Sequence, residues 1–352
     1  MTALAAPLLA TPSIAQTAPQ VKWRLTSSFS KVLETMSGTV HTLCRYVAEA
    51  TDNQFIIQPF SAGELAPSNQ ALDAVGSGTV ECAFTPTAYY VAKDPVLAFG
   101  AGVPFGLNVR QHLSWLSFGG GSDLVGGALK RLNVIGIPAG ATGTQMGAWF
   151  RKELTSVEEL KGLRFRIVGM GGQVLERVGA VPYKMGQADV FPALENGTID
   201  AAEFVCPPDD ERIGLAKVAR INHYPCWWES TGTIHLVINA ERWQALPKAY
   251  QAVLARAADA SLGWMLARYD HVNPPAVRRL VNEGAILKPF PQPVLEACQK
   301  AATEYLSEIA ARNPAFKKAY DSTNAFKAEH GAWQLISENA FDGYMQQVRG
   351  RT

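Results

Sequence analysis

The segment Ile199–Glu229 reads IDAAEFVCPPDDERIGLAKVARINHYPCWWE and contains the most informative pattern in the 352-residue chain. An apolar, strand-like run ends at Glu203, and an aromatic run ends at Glu229. An ionised carboxylate in apolar surroundings is costly unless a cation or hydrogen-bond donors compensate it. Because the residues next to each glutamate supply no cation, we predict that both have a positively charged partner from elsewhere.

Strand-like and helix-like patterns alternate on both sides of this segment. Short apolar runs typical of strands lie at Val21–Leu25, Gln54–Pro59, Val80–Thr85, Val134–Pro138 and Leu163–Val168. Amphipathic stretches between them predict helices, so we expect α/β architecture with parallel strands. Beyond Pro247 the apolar residues follow helical spacing, and further helices are expected over about 293–312, 314–329 and 331–349.

Composition and charge limit the classes of function. The chain carries 32 Lys and Arg residues against 31 Asp and Glu residues, a net charge of +1. It is 47% hydrophobic and 18% charged, which is typical of a globular protein long enough for two domains. No run of Lys or Arg offers a surface to a polyanion, which argues against nucleic acid as a partner.

The first twenty residues are uncharged and rich in Ala, Leu and Pro, as in an export signal. Their apolar part spans Ala3–Ala10, and Ser13 and Ala15 fit the small-residue rule for cleavage before Gln16. A basic stretch before the apolar part is missing, so we expect a longer signal that starts upstream of Met1. A flexible linker is the alternative. We predict a soluble, exported, periplasmic protein, since no apolar run reaches the roughly 20 residues that a membrane span needs.

Motifs of common enzyme classes are missing from the sequence. The six histidines show neither HxH nor HExxH spacing, and there is no GxSxG elbow or P-loop. Gly169, Gly171 and Gly172 resemble the start of a dinucleotide-binding loop, but Val174 stands where the last glycine belongs. A tight turn between a strand and a helix is the preferred interpretation of these glycines.

Five ordered motifs carry a resemblance to a known family. They are TGTQMGAWFRKEL (142–154), LKGLRFRI (160–167), PALENGTIDAAEF (192–204), YPCWWES (224–230) and NPAFKKAYDS (313–322). Together they resemble the solute-binding proteins of tripartite ATP-independent periplasmic (TRAP) transporters, in the DctP-like family. Within it they are most similar to the subgroup that binds 2-oxo and 2-hydroxy monocarboxylates with a metal cation. The resemblance extends from Lys22 to about Gln347.

The resemblance implies a type II periplasmic-binding-protein-like fold, with two α/β lobes, a ligand cleft and a helical C-terminal region. The first lobe would comprise residues 21–144 and about 231–272, and the second residues 145–230 and about 273–312. Residues 1–20 would be the remnant of a signal or a linker. The C-terminal helices over 313–352 would be able to form a homodimer.

In this family an arginine of the second lobe clamps the ligand carboxylate, and Arg166 occupies that position. A guanidinium suits the role because its planar fork donates two parallel hydrogen bonds to a carboxylate. Strand alternation alone favours an exposed arginine on a polar face, and the resemblance reverses that preference. The other ligand contacts that it implies are Gln145, Tyr90, Tyr89, Phe204 and Phe29, with Tyr90 as the preferred hydroxyl donor.

The metal-dependent subgroup implies a cation held by Gln145, Glu203, Glu229 and the main-chain carbonyl of Phe204. Oxygen ligands suit a hard cation, calcium or sodium, and not zinc. Two glutamates and a ligand carboxylate bring three negative charges against one from Arg166, which slightly favours calcium. Taken singly, each glutamate has an alternative interpretation as a buried, ion-paired acid.

Four further residues of the opening segment have structural interpretations. Trp227 and Trp228 are expected in the core. Cys206 and Cys226 stand where the metal-binding relatives have glycine, and the shared cation would bring their segments together. We therefore predict a disulfide between them, worth about 3 kcal/mol in an oxidising compartment. Two small buried residues without a bond are the alternative.

These expectations combine into one functional hypothesis. The chain would be a solute-binding protein, not an enzyme, that captures a 2-oxo or 2-hydroxy monocarboxylate such as pyruvate or lactate with a metal cation. It would deliver the ligand to the TRAP membrane subunits. An ABC-type or sensory carboxylate-binding protein is the alternative, and a metal-dependent enzyme acting on small carboxylates is a weaker one.

Overall fold

The computed structural model describes residues 19–349, so residues 1–18 of the signal or linker predicted over 1–20 lie outside the described part. The strands are β1 (Val21–Ser27), β2 (Phe55–Phe60), β3 (Cys82–Thr85), β4 (Val134–Ala141), β5 (Ala148–Phe150), β6 (Arg164–Arg166), β7 (Val181–Tyr183), β8 (Ala201–Glu203), β9 (Ile221–Tyr224), β10 (Thr233–Asn239) and β11 (Ile286–Pro289). They form two sheets, with orders β2-β1-β3-β10-β4 and β11-β9-β5-β8-β6-β7. The α/β prediction is confirmed.

Helices cover both sheets and form the C-terminal region. They are α1 (Glu34–Ala50), α2 (Ala71–Gly76), α3 (Val109–Phe118), α4 (Gly121–Lys130), α5 (Gly171–Arg177), α6 (Gln187–Glu195), α7 (Pro207–Ile213), α8 (Leu215–Val218), α9 (Ala240–Ala245), α10 (Lys248–Asn282), α11 (Gln292–Arg312), α12 (Pro314–Ile336) and α13 (Glu338–Arg349). Short 3₁₀ turns lie at Ser68–Gln70, Thr87–Tyr90, Pro95–Gly100 and Glu158–Leu160. Within this part of the chain, no helix is both long and apolar enough to cross a bilayer.

The predicted parallel strands make up most of both sheets, but each sheet also contains one antiparallel strand. In the first sheet β10 runs antiparallel to β3 and β4, and in the second β5 runs antiparallel to β8 and β9. Both are the first strand after the chain crosses from the other sheet. The crossing segments reach the cleft at Gln145 and Gly232, so β5 and β10 begin beside it, whereas the parallel strands β1, β6 and β8 end there. A strand that begins where its neighbours end must run in the opposite direction.

The 35-residue helix α10 connects the two halves of the molecule. It packs on β4 and α1 beside the first sheet and on α7 beside the second. It also crosses residues 272 and 273, where the sequence predicted a change of lobe, and those lobe limits remain a prediction. One hydrophobic cluster accordingly extends through both halves, from Leu25 and Leu43 to Val190 and Leu215.

The predicted C-terminal helices are confirmed, but the break between the last two lies later than expected: α12 continues seven residues beyond the predicted Glu329, to Ile336, and α13 begins at Glu338 where residue 331 was predicted. Helix α11 packs on α5 beside the second sheet, whereas α12 packs on α3 and α4 beside the first. Helix α13 packs on α12 and leaves a row of exposed apolar side chains that includes Phe341 and Tyr344.

Candidate functional site

A cleft of about 1100 Å³ lies between the two sheets, at the carboxyl ends of the parallel strands. The carboxyl ends of parallel strands are the usual place for a ligand site in α/β proteins, because the loops that follow different strands converge there. Of the site residues that the sequence predicted, those that line this cleft are Phe29, Tyr89, Gln145, Arg166, Glu203, Phe204 and Glu229. Residues separated by up to 200 positions are therefore brought to one cavity.

Arg166 and Glu203 form a buried ion pair on neighbouring strands. Arg166 ends β6 and Glu203 ends β8, and the parallel register sets Arg166 opposite Ala202. Arg166 Nη1 donates to Glu203 Oε1 and to the Glu203 carbonyl, both at 2.6 Å, while the Val168 amide donates to the same Oε1 at 3.2 Å. The Arg166 Nε is buried and has no hydrogen-bond partner in the described residues. The guanidinium thus keeps donor capacity that Glu203 does not use.

Glu229 lies in the same cleft without such a partner. In the part of the chain that the structure describes, no hydrogen bond or ion pair reaches its carboxylate. Burial and the nearby charge of Glu203 together raise the pKa of Glu229 to about 8, against the opposing charge of Arg166. Burial also raises the pKa of Glu203, against the charge of Arg166 and the Val168 amide. Two carboxylates therefore share one guanidinium, so both can be ionised together only at the cost of an unbalanced negative charge.

Gln145 is held beside this pair by the crossing segments. Ala148 of β5 pairs with both Glu203 and His223, so the residues just before β5 lie between the two glutamate-bearing segments. Gly232, with φ +48°, lies against Gln145, and a Cβ there would stand 3.0 Å from Gln145 Nε2 and 2.2 Å from Thr142 Oγ1. Glycine at this position therefore leaves the space that the Gln145 side chain occupies.

The donor set of the cleft fits a hard cation. Glu203, Glu229 and Gln145 offer carboxylate and amide oxygens, the ligands that calcium and sodium prefer over zinc. In residues 19–349 no three His, Cys, Asp or Glu side chains cluster as a metal-binding group. The four predicted metal ligands do not form a group of this kind, because two of them are the Gln145 side-chain amide and the Phe204 main-chain carbonyl. The unbalanced negative charge of the ionised glutamates is what a bound cation would offset.

The adjacent residues Tyr89 and Tyr90 have different surroundings, and the predicted preference for Tyr90 as the hydroxyl donor to the ligand requires correction. Tyr90 is buried, and its hydroxyl accepts from the Leu72 amide at 3.1 Å and shares a hydrogen bond of 2.9 Å with Thr85 Oγ1. Tyr89 instead lines the cleft, and its pKa is raised by burial and by Glu203 and Glu229, against Arg166. Tyr89 is therefore the tyrosine that can contact a ligand.

Aromatic side chains border the charged cluster as predicted. The Phe204 ring lies 5.8 Å from the Arg166 guanidinium carbon, within cation–π range. Trp227 and Trp228 are buried in the hydrophobic cluster behind the second sheet, so their assignment to the core is confirmed. Phe29, in the loop after β1, lines the cleft from the first sheet.

The predicted disulfide is not present, since all five cysteines are free and buried. The Cys226 thiol donates to the Glu229 carbonyl at 3.1 Å, while Cys206 is buried in the hydrophobic cluster of the two sheets. Burial raises the pKa of both thiols well above the ordinary value, which disfavours the reactive thiolate. The alternative of two small buried residues describes this arrangement.

Sequence reasoning did not single out Asp209 and Asp210 in the same segment. Both are buried at the start of α7, where Asp210 accepts from Trp149 Nε1 at 2.7 Å and Asp209 accepts from the Tyr269 hydroxyl at 2.8 Å. The surrounding PPDDERIG looks like an exposed helix start, and nothing local indicates burial. Their donors come from β5 and α10, which only the fold brings near.

Comparison with known proteins assigns the family. The model of bacterial extracellular solute-binding protein, family 7 (DctP), matches residues 26–313. A monocarboxylate 2-oxoacid-binding periplasmic protein of Nostoc sp. is 43% identical over 334 residues, 95% of this chain and 92% of the relative. The match thus covers both sheets and the whole cleft.

Two solved structures extend the comparison to three dimensions. A TRAP transporter solute-binding protein from Bordetella bronchiseptica, a mixed-occupancy dimer with copurified calcium and picolinate, is 41% identical with a TM-score of 0.92, covering 95% of this chain and 99% of that one. A TRAP periplasmic solute-binding protein from Pseudoalteromonas atlantica with bound sodium and pyruvate is 31% identical with a TM-score of 0.88, covering 92% and 98%. The chain therefore belongs to family 7 of the bacterial extracellular solute-binding proteins, the DctP family of TRAP transporter solute-binding proteins.

Proposed function

We propose that this protein captures a 2-oxo or 2-hydroxy monocarboxylate together with a calcium or sodium ion and delivers it to TRAP membrane subunits. The observation that carries the proposal is the charge of the cleft. Glu203 and Glu229 face one guanidinium, and Glu229 has no partner of its own among the described residues. A carboxylate ligand adds a further negative charge, so it can enter this site favourably only with a cation.

The relatives support a ligand that can share a cation. Pyruvate, bound with sodium in one relative, has a 2-oxo oxygen beside its carboxylate. Picolinate, found with calcium in another, has a ring nitrogen at the equivalent position. Both molecules therefore present two donor atoms on adjacent carbons, and 2-hydroxy acids do the same. An acid without the second donor would lose one contact.

The residues have separate roles in this proposal. Gln145, Glu203, Glu229 and the Phe204 carbonyl would hold the cation, which neutralises the cluster when bound. Arg166 binds the ligand carboxylate through the donors that Glu203 leaves unused, and Tyr89 and Phe204 cover the ligand from opposite lobes. Closure of the lobes then excludes water, which strengthens each charged contact. The role is binding without turnover, so we expect ligand to be recovered unchanged.

Titration calorimetry on metal-free protein tests the proposal. We expect pyruvate to bind in calcium or sodium and to bind at least about 10-fold more weakly once calcium is chelated and sodium is omitted from the buffer, a loss of about 1.4 kcal/mol or more. Propionate, which lacks the 2-oxygen, is the matched control ligand and should bind weakly in both conditions. Equal affinity for pyruvate with and without the cation would contradict the shared site, and conversion of pyruvate to a product would favour an enzyme.

We further propose a homodimer through α12 and α13. Phe341, Tyr344 and Val348 follow one another at helical spacing on α13 and are exposed, as is Trp333 of α12. An uncovered apolar row of this kind is typical of an interface. Sedimentation analysis should give a dimer for the wild type and a monomer for a Phe341→Lys, Tyr344→Lys variant. Phe118→Lys, at an exposed apolar residue of α3, is the control and should remain dimeric.

A further inference from the structure

Glu229 lies in a stretch of chain without regular structure. Residues 225–232 connect β9 to β10 and form neither a helix nor a strand. Among the described residues, the only hydrogen bond between main-chain atoms that involves residues 225–231 runs from the Phe105 amide to the Trp227 carbonyl, at 2.7 Å. A metal ligand has to be held within about 0.5 Å of its working position. The position of Glu229 therefore depends on contacts from outside its own segment.

The loop over residues 102–107, here called the bracing loop, supplies such contacts. It leads from the 3₁₀ turn at Pro95–Gly100 to α3. Besides the hydrogen bond to Trp227, the Phe105 ring stacks on the Trp227 ring, with centroids 5.2 Å apart and 14° between the ring planes. Ser230 Oγ donates to the Leu107 carbonyl at 2.5 Å. The bracing loop thus contacts the residues on both sides of Glu229.

The start of the bracing loop is shaped for close approach to the same segment. Gly102 has φ +117°, and a Cβ at this position would lie 2.7 Å from Thr231 Cγ2, closer than two carbon atoms pack. Thr231 is fully buried and cannot move away into solvent. Glycine at position 102 therefore allows the loop and the segment to touch.

Phe105 has a main-chain conformation that bulky residues rarely adopt. Its φ is +53°, in the left-handed region where a Cβ is crowded. Such a conformation persists only where the surroundings fix it, and Lys327 of α12 donates to the Phe105 carbonyl. The amide, the carbonyl and the ring of Phe105 all have partners. Glycine or asparagine would form this turn at lower cost, so the ring indicates a role beyond the turn.

Other contacts hold the Glu229 segment on one side only. Trp228, on the N-terminal side, packs edge-on against Phe165 and Phe290, at centroid distances of 6.0 and 6.2 Å. On the C-terminal side, Thr144 Oγ1 donates to the Ser230 carbonyl at 3.1 Å, but Thr144 is exposed. Each of these contacts acts before or after Glu229, whereas the bracing loop acts on both sides.

We infer that Phe105 is a positioning residue for the cation site, because it holds the Glu229 segment so that the carboxylate stays at the cleft. The inference rests on the proposed function, since it takes Glu229 as a metal ligand. Phe105 does not line the cleft, so it acts through the segment and not by contact with ligand or cation. Residues that support metal ligands in this way typically change metal affinity 10–100-fold when they are substituted.

Calorimetric titration of calcium into metal-free protein, at a fixed high concentration of pyruvate, tests the inference. Phe105→Ala should bind calcium about 10-fold or more weakly, whereas Phe105→Tyr keeps the ring and should bind as the wild type does. Phe326→Ala is the matched control. Phe326 is a partly buried phenylalanine that stacks on His330 at 3.8 Å and packs against a different hydrophobic cluster, so its loss should leave calcium affinity unchanged.

A second variant separates positioning from folding. Phe105→Asn lacks the ring but suits the left-handed conformation, so it should be folded without metal and still lose calcium affinity as Phe105→Ala does. Thermal unfolding of the metal-free variants measures their stability. A merely structural role would lower stability and leave the calcium affinity of the folded protein unchanged.

Thiol labelling provides a readout that needs no metal. Cys226 is buried in the Glu229 segment, and its thiol donates to the Glu229 carbonyl at 3.1 Å. Loosening of the segment in Phe105→Ala should expose this thiol and increase its rate of alkylation by iodoacetamide about fivefold. Cys44, buried on α1, is the internal control and should react at the wild-type rate.

The possible failures can be told apart. Equal calcium affinity in the wild type and Phe105→Ala would overturn the inference and leave the proposed function standing. An equal loss of affinity in Phe326→Ala, or equal acceleration of Cys44 and Cys226, would also overturn it, because the effect would then be general. A wild type that bound neither calcium nor sodium with pyruvate would remove the proposed function, and the inference with it.

Discussion

Two pairs of carboxylates lie within 27 residues of one another and differ in what surrounds them. Asp209 and Asp210 are buried in the first turn of helix α7 and accept hydrogen bonds from Tyr269 and Trp149. Glu203 and Glu229 reach the cleft. There Arg166 forms an ion pair with Glu203, whereas no described residue forms an ion pair or hydrogen bond with the Glu229 carboxylate. Burial raises the pKa in both pairs.

The comparison separates carboxylates that hold the fold from those that hold a ligand. Asp210 also accepts from the Val205 amide at 3.2 Å, so it ties the end of the β8 segment to Trp149 on β5. Neutral donors from the protein complete this environment. The glutamates keep unused oxygens toward a cavity, where both can be ionised only with an unbalanced negative charge. A raised pKa alone does not distinguish the pairs, whereas access to the cleft does.

The largest effect is expected from removing Arg166, the positively charged partner of Glu203. Arg166→Ala leaves Glu203 buried without its ion pair, and breaking such a pair costs about 3–5 kcal/mol of stability. It also removes charge-assisted hydrogen bonds to the ligand, each worth about 1.5–3 kcal/mol, so affinity should fall by a factor of about 100 or more. Thermal unfolding and calorimetry with pyruvate and calcium measure the two losses.

Arg164, two residues earlier on β6, is the matched control for this variant. It pairs with Asp200 at 2.6 Å, but both side chains are about one-third exposed. Arg164→Ala should cost no more than about 1 kcal/mol and leave ligand affinity unchanged. If both arginine variants lost ligand equally, Arg166 would have no special role in the cleft.

An intermediate effect should separate the two pairs directly. Glu229→Gln should weaken calcium by more than about 100-fold, beyond the 10–100-fold typical of residues that only support metal ligands. Its stability without calcium should stay equal or rise, because an unpaired carboxylate is removed. Asp210→Asn should lose about 1–3 kcal/mol of stability, since its amide cannot satisfy every donor that the carboxylate does.

Calcium titrations and urea unfolding of both variants measure these effects. The expected pattern is a loss of calcium affinity in Glu229→Gln and a loss of stability in Asp210→Asn. The reverse pattern would mean that Glu229 serves the fold and that the comparison between the pairs is mistaken.

The last effect is a slope of stability with pH. Burial, only partly opposed by hydrogen bonds from Tyr269 and Trp149, raises the pKa of Asp209 and of Asp210 from 3.8 to about 7. Between these values the folded state binds more protons than the unfolded state, so the free energy of unfolding falls as the pH rises. Asp209→Asn should flatten that fall, as measured by urea unfolding between pH 4 and pH 7.

Asp200 provides the control of opposite sign. The hydrogen bond from Arg164 lowers the pKa of Asp200. The contribution of Asp200 to the free energy of unfolding is therefore complete above the ordinary pKa of an aspartate and is lost only as the pH falls below that value. Asp200→Asn should therefore leave the slope between pH 4 and pH 7 unchanged. An unchanged slope in Asp209→Asn would show that this carboxyl titrates at its ordinary pKa.

Local patterns predicted the elements well where the pattern had only one physical solution. The apolar run at Val134 formed β4, and the helical spacing after Pro247 formed α10. The strands β5 and β10 and their antiparallel direction were not predicted, because strand direction depends on where the chain crosses between sheets. No window of sequence contains that information.

The candidate site shows the same division. Arg166, Glu203, Glu229 and Gln145 were named from motif resemblance, and all four line the cleft. Sequence pattern cannot decide between two adjacent tyrosines, and the preference for Tyr90 was wrong. The 3₁₀ turn at Thr87–Tyr90 directs Tyr90 into the core and Tyr89 into the cleft. Asp209 was missed because its donor, Tyr269, is 60 residues away.

The sequence by itself determined the α/β class, the helical C-terminal region, and the requirement that two glutamates in apolar surroundings have a positive partner. Composition, periodicity and the cost of burying a charge depend on short stretches of the chain, so they can be inferred from the amino-acid sequence. Only the tertiary structure decided that Arg166 pairs directly with Glu203, that Cys206 and Cys226 stay unbonded, and that Tyr89, not Tyr90, lines the cleft. These depend on distances between residues far apart in the chain, which are fixed when the two lobes pack together.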